Sequence, residues 1–303
     1  MVFQPSYLDL FLSGDLEKRA ADFQLRLKTC DLCPRDCGVN RIEGEVGVCG
    51  VGNQVWVNSY GPHFGEEDPL RGWQGSGTIF FSGCNLNCLY CQNAEISQKV
   101  SGSEISVEVL ADIMLELEDR GAHNINLVSP THVTAQIAKA IYLAAQRGLQ
   151  LPIIYNTGGY DSIQTLKMLD GIIDIYMPDM KYSEPEISER LSGVFDYPSV
   201  NQLAVKEMFR QVGDLVLSPR GIAERGLLIR HLVLPDGLAG SKTILRFIAK
   251  EISQNTYLNI MDQYRPAYLA GRHSEINRRI NSDEYQAVVS EALMLGLKRL
   301  DKY

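Results

Sequence analysis

No run in this chain approaches the roughly 18 consecutive apolar residues of a membrane-crossing helix. The opening MVFQPSYLDLF has neither the basic start nor the apolar centre of a secretory signal. A cytoplasmic location without a membrane partner is therefore expected. Clustered basic residues are also missing: Arg278 and Arg279 are only a pair, and the net charge is −8. Neutralising phosphates takes a patch of Lys and Arg, so nucleic acid is not an expected partner. Low-complexity tracts are absent, and no repeat exceeds an alternation of strand and helix patterns. The seven cysteines are an odd number in closely spaced groups, which fits metal binding in a reducing compartment and not a disulfide framework.

What the chain does have is core material. Its 303 residues are 45% hydrophobic and 22% charged, enough for one large domain or two and unlike a disordered chain. From about residue 77, short β-rich runs alternate with amphipathic helical stretches, the pattern of βα units on a parallel sheet. The strands expected are Thr78–Phe81, Asn124–Val128, Pro152–Tyr155, Ile172–Tyr176, Leu228–Leu234 and Thr256–Met261. Val109, Ile113 and Leu117, with Leu110 and Met114 beside them, make one helical face, and Ser106 is placed to cap it. Further helices are expected over 132–146 and 282–296, the second with Tyr285, Val288, Val289, Ala292 and Leu293 on one face. Gly75-Ser76-Gly77 lacks the phosphate-loop pattern and reads as a turn before the first strand. Residues 1–75 lack the alternation and read as an extension of their own.

Directly after Thr78-Ile79-Phe80-Phe81 comes GCNLNCLYCQN, with Cys84, Cys88 and Cys91 at C-x3-C-x2-C spacing. Three thiolates on one short loop hold three irons of a cubane cluster and leave the fourth iron open, which makes it a reaction site. A structural zinc needs four ligands as a rule, and no cysteine or histidine follows within thirty residues of Cys91. Spacing and open valence favour the cluster over zinc.

A second group stands in CDLCPRDCGVNRIEGEVGVCG: Cys30, Cys33, Cys37 and Cys49. Four thiolates complete a tetrahedral zinc site or a closed iron–sulfur cluster, and either would staple a segment with little core of its own. Gly38, Gly44 and Gly47 let the chain turn back between Cys37 and Cys49. Zinc, reduced cysteines and an auxiliary electron-relaying cluster all fit this spacing.

The C-x3-C-x2-C loop, with the aromatic Tyr90 before its last cysteine, resembles the signature of the radical S-adenosylmethionine (SAM) superfamily. Over most of residues 28–275 the chain further resembles the pyruvate formate-lyase activating enzymes, in a branch with a Cys-rich N-terminal extension. The resemblance implies an α/β fold: a partial (β/α)6 barrel over 76–275, after a Cys-rich extension over 1–75 and before a C-terminal helix over 276–303. It implies a [4Fe-4S] cluster whose open iron binds SAM, reductive cleavage to a 5′-deoxyadenosyl radical, and hydrogen abstraction from a substrate. It also implies an electron donor such as flavodoxin or ferredoxin, and a glycyl radical enzyme as the protein to be activated. A small molecule or another peptide is the alternative substrate. A non-catalytic iron–sulfur or zinc protein, acting in electron transfer or interaction, is the alternative class.

The same resemblance assigns the SAM-binding residues. Tyr90, Gln92 and Asn93 stand where the adenine is contacted. Val128-Ser129-Pro130-Thr131-His132 occupies the place of a Gly-Gly-Glu segment that holds the SAM amino group; the glutamate is missing, and Ser129 and Thr131 offer hydroxyl and carbonyl acceptors instead. His132 reads as a loop or helix-start residue. Asn156-Thr157-Gly158-Gly159 parallels an Asp-Thr-Asn-Gly turn. Asp179 and Lys181 share a strand face if the strand extends that far, Lys181 neutralising the SAM carboxylate and Asp179 balancing the sulfonium or helping to hold a monovalent cation. Arg230, inside an apolar strand, needs a partner, and the SAM carboxylate suits it as a bidentate one. His231 faces the other way as a structural histidine. Arg265 takes the place of a SAM-contacting histidine, with Gln263 on the same side.

Overall fold

The computed structural model describes residues 3–301. Among these, nine strands make one sheet: β1 (Val55–His63), β2 (Ser76–Phe81), β3 (Ser103–Ile105), β4 (Ile125–Val128), β5 (Ile153–Thr157), β6 (Ile175–Pro178), β7 (Val216–Leu217), β8 (Ala223–Leu232) and β9 (Tyr257–Met261). The six strands β2, β4, β5, β6, β8 and β9 pair in that order and are all parallel. Helices cross over between them, over Val107–Asp119, Thr134–Gln146, Ile163–Met168, Tyr197–Val212 and Ser241–Phe247. This is an α/β fold with a partial six-stranded parallel barrel. No helix among the described residues is long and apolar enough to cross a membrane.

Burial on both faces explains why the central strands were readable: β5 and β6 are buried throughout, the environment that selects continuous β-branched and aromatic runs. The face turned toward the helices belongs to the large core. On the inner face, Ile154, Ile175, Met177, Leu215 and Leu228 form a separate apolar cluster with Leu70 and Ala223. Two residues further along their strands, Asn156 and Arg230 face the cavity described below. The apolar cluster is therefore the floor, and the carboxyl ends of the strands are the open mouth.

Several boundaries differ from the sequence expectation. Gly75 is a turn, at φ +88°, but Ser76 and Gly77 already belong to β2. Gly77 donates its N–H to the Asn124 carbonyl at 3.0 Å, and a Cβ there would come within 2.4 Å of that oxygen. Residues 172–174 lead into β6 and are not part of it: Asp174 turns its carboxylate back to accept from the Ser6 and Ile153 N–H groups at 2.8 and 3.0 Å. β8 starts earlier than expected, at Ala223. Ser106 does cap its helix, accepting from the Val109 N–H. Val109 itself, in the first turn, is exposed, as is Leu293; the buried faces are Leu110, Ile113, Met114 and Leu117 in one helix and Val288, Val289 and Ala292 in the other.

Residues 1–75 supply more than loops. β1 runs antiparallel to β2 and extends the sheet, and the helix Asp15–Leu25 lies against Thr134–Gln146. Tyr7, Leu16, Phe23, Leu27 and Leu32 are buried in the same core as the barrel helices.

Candidate active site

The loop that leaves β2 opens with Gly83, at φ +82°, where a Cβ would strike the Cys49 carbonyl oxygen at 2.5 Å. Only glycine fits there, and the bend sends the next eight residues over the barrel mouth. Cys84, Cys88 and Cys91 follow and wall one cavity of about 850 Å³. All three are free thiols, Cys88 buried and the others partly so. Each already has a polar neighbour. The Leu86 N–H donates to Cys84 Sγ at 3.4 Å, the Ser192 hydroxyl donates to Cys88 Sγ at 3.0 Å, and Cys91 Sγ lies 3.1 Å from Ser97 Oγ.

Burial, followed by the neighbouring Cys88, pushes the Cys84 thiol up to about 12. Burial also raises Cys88, against the pull of the Lys181 charge. Thiols in such surroundings lose their protons to a bound metal and not to water. Among the described residues no three His, Cys, Asp or Glu side chains close around a single ion. The donor set fits a cluster instead: three thiols facing a large cavity, each with a hydrogen-bond donor close to its sulfur.

The remaining walls come from the strand ends. Ser129 follows β4 at φ +58°, a left-handed conformation that a residue with a Cβ adopts only under strain. Its N–H is held by the Asn156 carbonyl at 2.9 Å. Asp161, buried, gathers the two threonines: it accepts from Thr131 and Thr157 hydroxyls, each at 2.7 Å, and from Tyr155 at 3.2 Å. Those hydroxyls are thus committed, and Thr131 and Thr157 present the rest of their surface to the cavity. Asp161 was not anticipated, although it lies in NTGGYDS only five residues beyond Asn156.

Past β6, Asp179 and Lys181 form an ion pair of 2.5 Å at the cavity wall. Burial works against the Lys181 charge, but Asp179, with Cys88 and Tyr197, holds the ammonium well above the usual lysine range. A fixed cation therefore faces the cysteine loop. Tyr90 also lines the cavity, but its hydroxyl is used in a chain: Tyr90 to Tyr182 at 2.6 Å, Tyr182 to Ser192 at 2.7 Å, and Ser192 to Cys88. Gln92 and Asn93 complete that side, Gln92 donating to the Gln263 carbonyl at 3.3 Å.

Two residues stand in surroundings that the resemblance does not imply. Arg230 lines the cavity as expected, but its guanidinium edge is taken. Glu67 accepts from Nε and Nη2, each at 2.7 Å, and Glu66 pairs with Nη2. Both glutamates come from FGEEDP, between β1 and β2, and Asn259 donates to Glu67 at 2.7 Å. The bidentate partner is inside the protein, so the SAM carboxylate is not required to explain a buried arginine. No sequence pattern links residues 66 and 67 to residue 230; the two long-range pairs form only when β1 folds against the sheet. Arg265 is exposed and off the cavity wall. Between it and Gln263, the wall residue, Tyr264 is buried and donates to the Ile276 carbonyl at 2.6 Å.

His231 and His132 are satisfied and buried. His231 Nδ1 lies 2.7 Å from the Met180 carbonyl and Nε2 2.8 Å from Ser241 Oγ. His132 Nε2 lies 2.8 Å from the Ser82 carbonyl, and burial lowers its pKa to about 4. His132 is thus a packed residue behind the cysteine loop and not only a helix start.

Residues 78–200 match the family model described as the radical SAM superfamily. The uncharacterized protein MJ0674 of Methanocaldococcus jannaschii is 32% identical over 278 residues, covering 88% of this chain and 74% of that protein. Among solved structures, Streptococcus suis SuiB bound to S-adenosylmethionine aligns over 72% of this chain and 47% of its own, with a TM-score of 0.50 at 12% identity. A radical SAM methyltransferase from Sphaerobacter thermophilus aligns over 75% of this chain and 67% of its own, with a TM-score of 0.49 at 12% identity. At 12% identity the likeness to SuiB speaks to the fold alone.

Proposed function

The chain belongs to the radical SAM superfamily, and on that premise we propose that it generates a 5′-deoxyadenosyl radical to abstract hydrogen, as an oxidoreductase that activates a glycyl radical enzyme. Cys84, Cys88 and Cys91 would hold a [4Fe-4S] cluster, which when bound would supply the electron for reductive cleavage of SAM. The observation that carries the reading is the placement of those three thiols and the Lys181 ammonium on one cavity at the carboxyl ends of the parallel strands.

The chain's own groups bind and orient. Lys181 would meet the carboxylate of SAM, while Asp179 keeps the ammonium charged and aimed. Ser129, Thr131, Asn156 and Thr157 present backbone and amide groups to the amino acid end. Gln92, Asn93 and Tyr90, on the same cavity, would receive the adenine. Arg230, held by its two glutamates, shapes the deeper wall and does not grip the carboxylate. The electron comes from a donor of the flavodoxin or ferredoxin kind, and the hydrogen from a glycine Cα of the partner enzyme. We also read Cys30, Cys33, Cys37 and Cys49 as ligands of a second metal, zinc or an iron–sulfur cluster.

Anaerobic reconstitution tests this. With dithionite and SAM, the chain should form 5′-deoxyadenosine, and SAM should shift the electron paramagnetic resonance of the reduced cluster. Cys84→Ala should lose both signals, while Cys30→Ala keeps the SAM-sensitive one. A fully loaded cluster that ignores SAM would sink the proposal.

A further inference from the structure

Next to the cysteine loop, sharing Asn85 and His132 with the first cavity, Cys30, Cys33, Cys37 and Cys49 wall a second, much smaller cavity. The backbone there is folded into tight turns: Cys30 donates to the Val39 carbonyl and Gly38 donates back to Cys30, each at 3.0 Å. Gly47 lets the Cys37 sulfur in, since a Cβ at that position would stand 2.7 Å from it. The segment is shaped around its sulfurs.

Two guanidinium groups share this cavity. Arg41 is only 1% exposed. It donates to the Gly52 carbonyl at 2.9 and 2.7 Å and to the His132 carbonyl at 2.6 Å, and its Nη1 lies 3.8 Å from Cys30 Sγ. Arg35 donates to the carbonyls of Asn85 at 2.8 Å and Gly193 at 3.0 Å, while its Nη2 is buried without a hydrogen-bond partner among the described residues. These carbonyls satisfy hydrogen bonds but carry no charge. Arg230, elsewhere in the molecule, has two carboxylates for one guanidinium, whereas among the described residues no carboxylate pairs with Arg35 or Arg41. A buried cation without an anion is strongly unfavourable, which bears in full on Arg41 and on Arg35 through its buried Nη2. Four thiolates around an oxidised [4Fe-4S] core leave a net charge of minus two, as they would around a divalent zinc ion if the four sulfurs, which do not close around a single ion in this structure, drew together on it. That is the charge these two arginines lack.

We propose that Arg35 and Arg41 are the built-in counter-charge of a dianionic four-thiolate centre on Cys30, Cys33, Cys37 and Cys49, and that Arg35 ties this centre to the loop carrying Cys84. The proposal rests on reading the four cysteines as metal ligands, and it adds what holds the charge and where the site is anchored. The tie is short: Arg35 grips the carbonyl of Asn85, the residue next to Cys84, and Asn85 and His132 wall both cavities.

The test uses the full chain with Cys84→Ala, Cys88→Ala and Cys91→Ala, which removes the first centre and leaves SAM chemistry out of the measurement. Iron, acid-labile sulfide and zinc are counted after anaerobic purification. The expected result is one centre per chain, either iron with matching sulfide or a single zinc, which disappears on adding Cys30→Ala and Cys33→Ala. Adding Arg35→Met instead keeps all four thiols; the metal should then pass to a competing chelator at least tenfold more readily, and amide exchange across 83–91 should quicken. Arg35 is partly exposed, so a circular dichroism spectrum like the parent's separates loss of charge from loss of fold. A folded parent without stoichiometric metal overturns the four-cysteine reading and the proposal with it. A parent that holds metal, with an Arg35→Met variant that holds it equally tightly, overturns the counter-charge alone.

Discussion

Arg230 and His231 are adjacent in β8 and face opposite ways, and each shows how a buried polar group is made tolerable. His231 is satisfied by one carbonyl and one hydroxyl. Arg230 takes two carboxylates. Burial works to raise the Glu67 pKa, but the Arg230 charge, its hydrogen bonds and the Asn259 amide overrule it and hold the carboxyl below the usual glutamate range. Its stabilising contribution is therefore present above about pH 4.5 and is lost as pH falls through the lowered folded value. Removing one partner at neutral pH leaves the other exposed to its desolvation cost. Arg230→Met, which strands two carboxylates, should cost about 3–5 kcal/mol in urea unfolding. Glu67→Gln, which leaves Glu66 in place, should cost about 1–3 kcal/mol. The double variant should be less destabilised than the sum, by roughly 0.5–3 kcal/mol, with the difference shrinking below pH 4. Strict additivity at pH 7 would show that the pairing does not hold in solution.

At the scale of elements, the six parallel strands were legible because burial on both sides leaves long apolar runs with no competing explanation. β1 was not. Its sequence, VWVNSYGPH, is buried only near its start and carries polar residues and a proline along an exposed half, so periodicity gives no face to read. β3 and β7, of three and two residues, are too short to carry a pattern. The site divides in the same way. Its loop residues stand at a readable spacing along the chain, whereas Glu66 and Glu67 act through partners that only the fold brings near, and Asp161 ties its near neighbours Tyr155 and Thr157 to the distant Thr131. Gly77 belongs to the same lesson: its neighbours suggest a turn, yet its purpose is close pairing of β2 with β4. Its φ is not in the left-handed region, so the constraint is spacing alone. Gly77→Ala should push the Asn124 carbonyl away, splay the two strands and cost about 1–3 kcal/mol. Since β2 carries the chain into the cysteine loop, the reconstituted cluster should also be less stable to air. A thermal midpoint unchanged from wild type would show that the strands yield without penalty.

At the scale of the whole molecule, the first fifty residues bear on whether the barrel stands without them. Tyr7, Leu16, Phe23, Leu27 and Leu32 sit fully buried in the core formed by the barrel helices. Burying one such side chain is worth about 1.5–3 kcal/mol, so five together match the roughly 5–15 kcal/mol that separates a folded domain from its unfolded chain. Polar ties run the same way: the Tyr7 hydroxyl donates to the Leu149 carbonyl at 2.9 Å, and Arg26 Nη1 donates to Thr165 at 2.8 Å. A second metal centre would add to this burial, since Cys30 and Leu32, which wall its cavity, belong to the same core. Deleting residues 1–50 should therefore yield a chain that aggregates or, if soluble, binds a hydrophobic dye and lacks a cooperative urea transition, with or without added iron and sulfide. The intact chain should unfold in one transition for residues on both sides of position 75, followed by hydrogen exchange. A truncated barrel that melts cooperatively near the wild-type midpoint would mean that the shared core is only a contact between two self-sufficient parts.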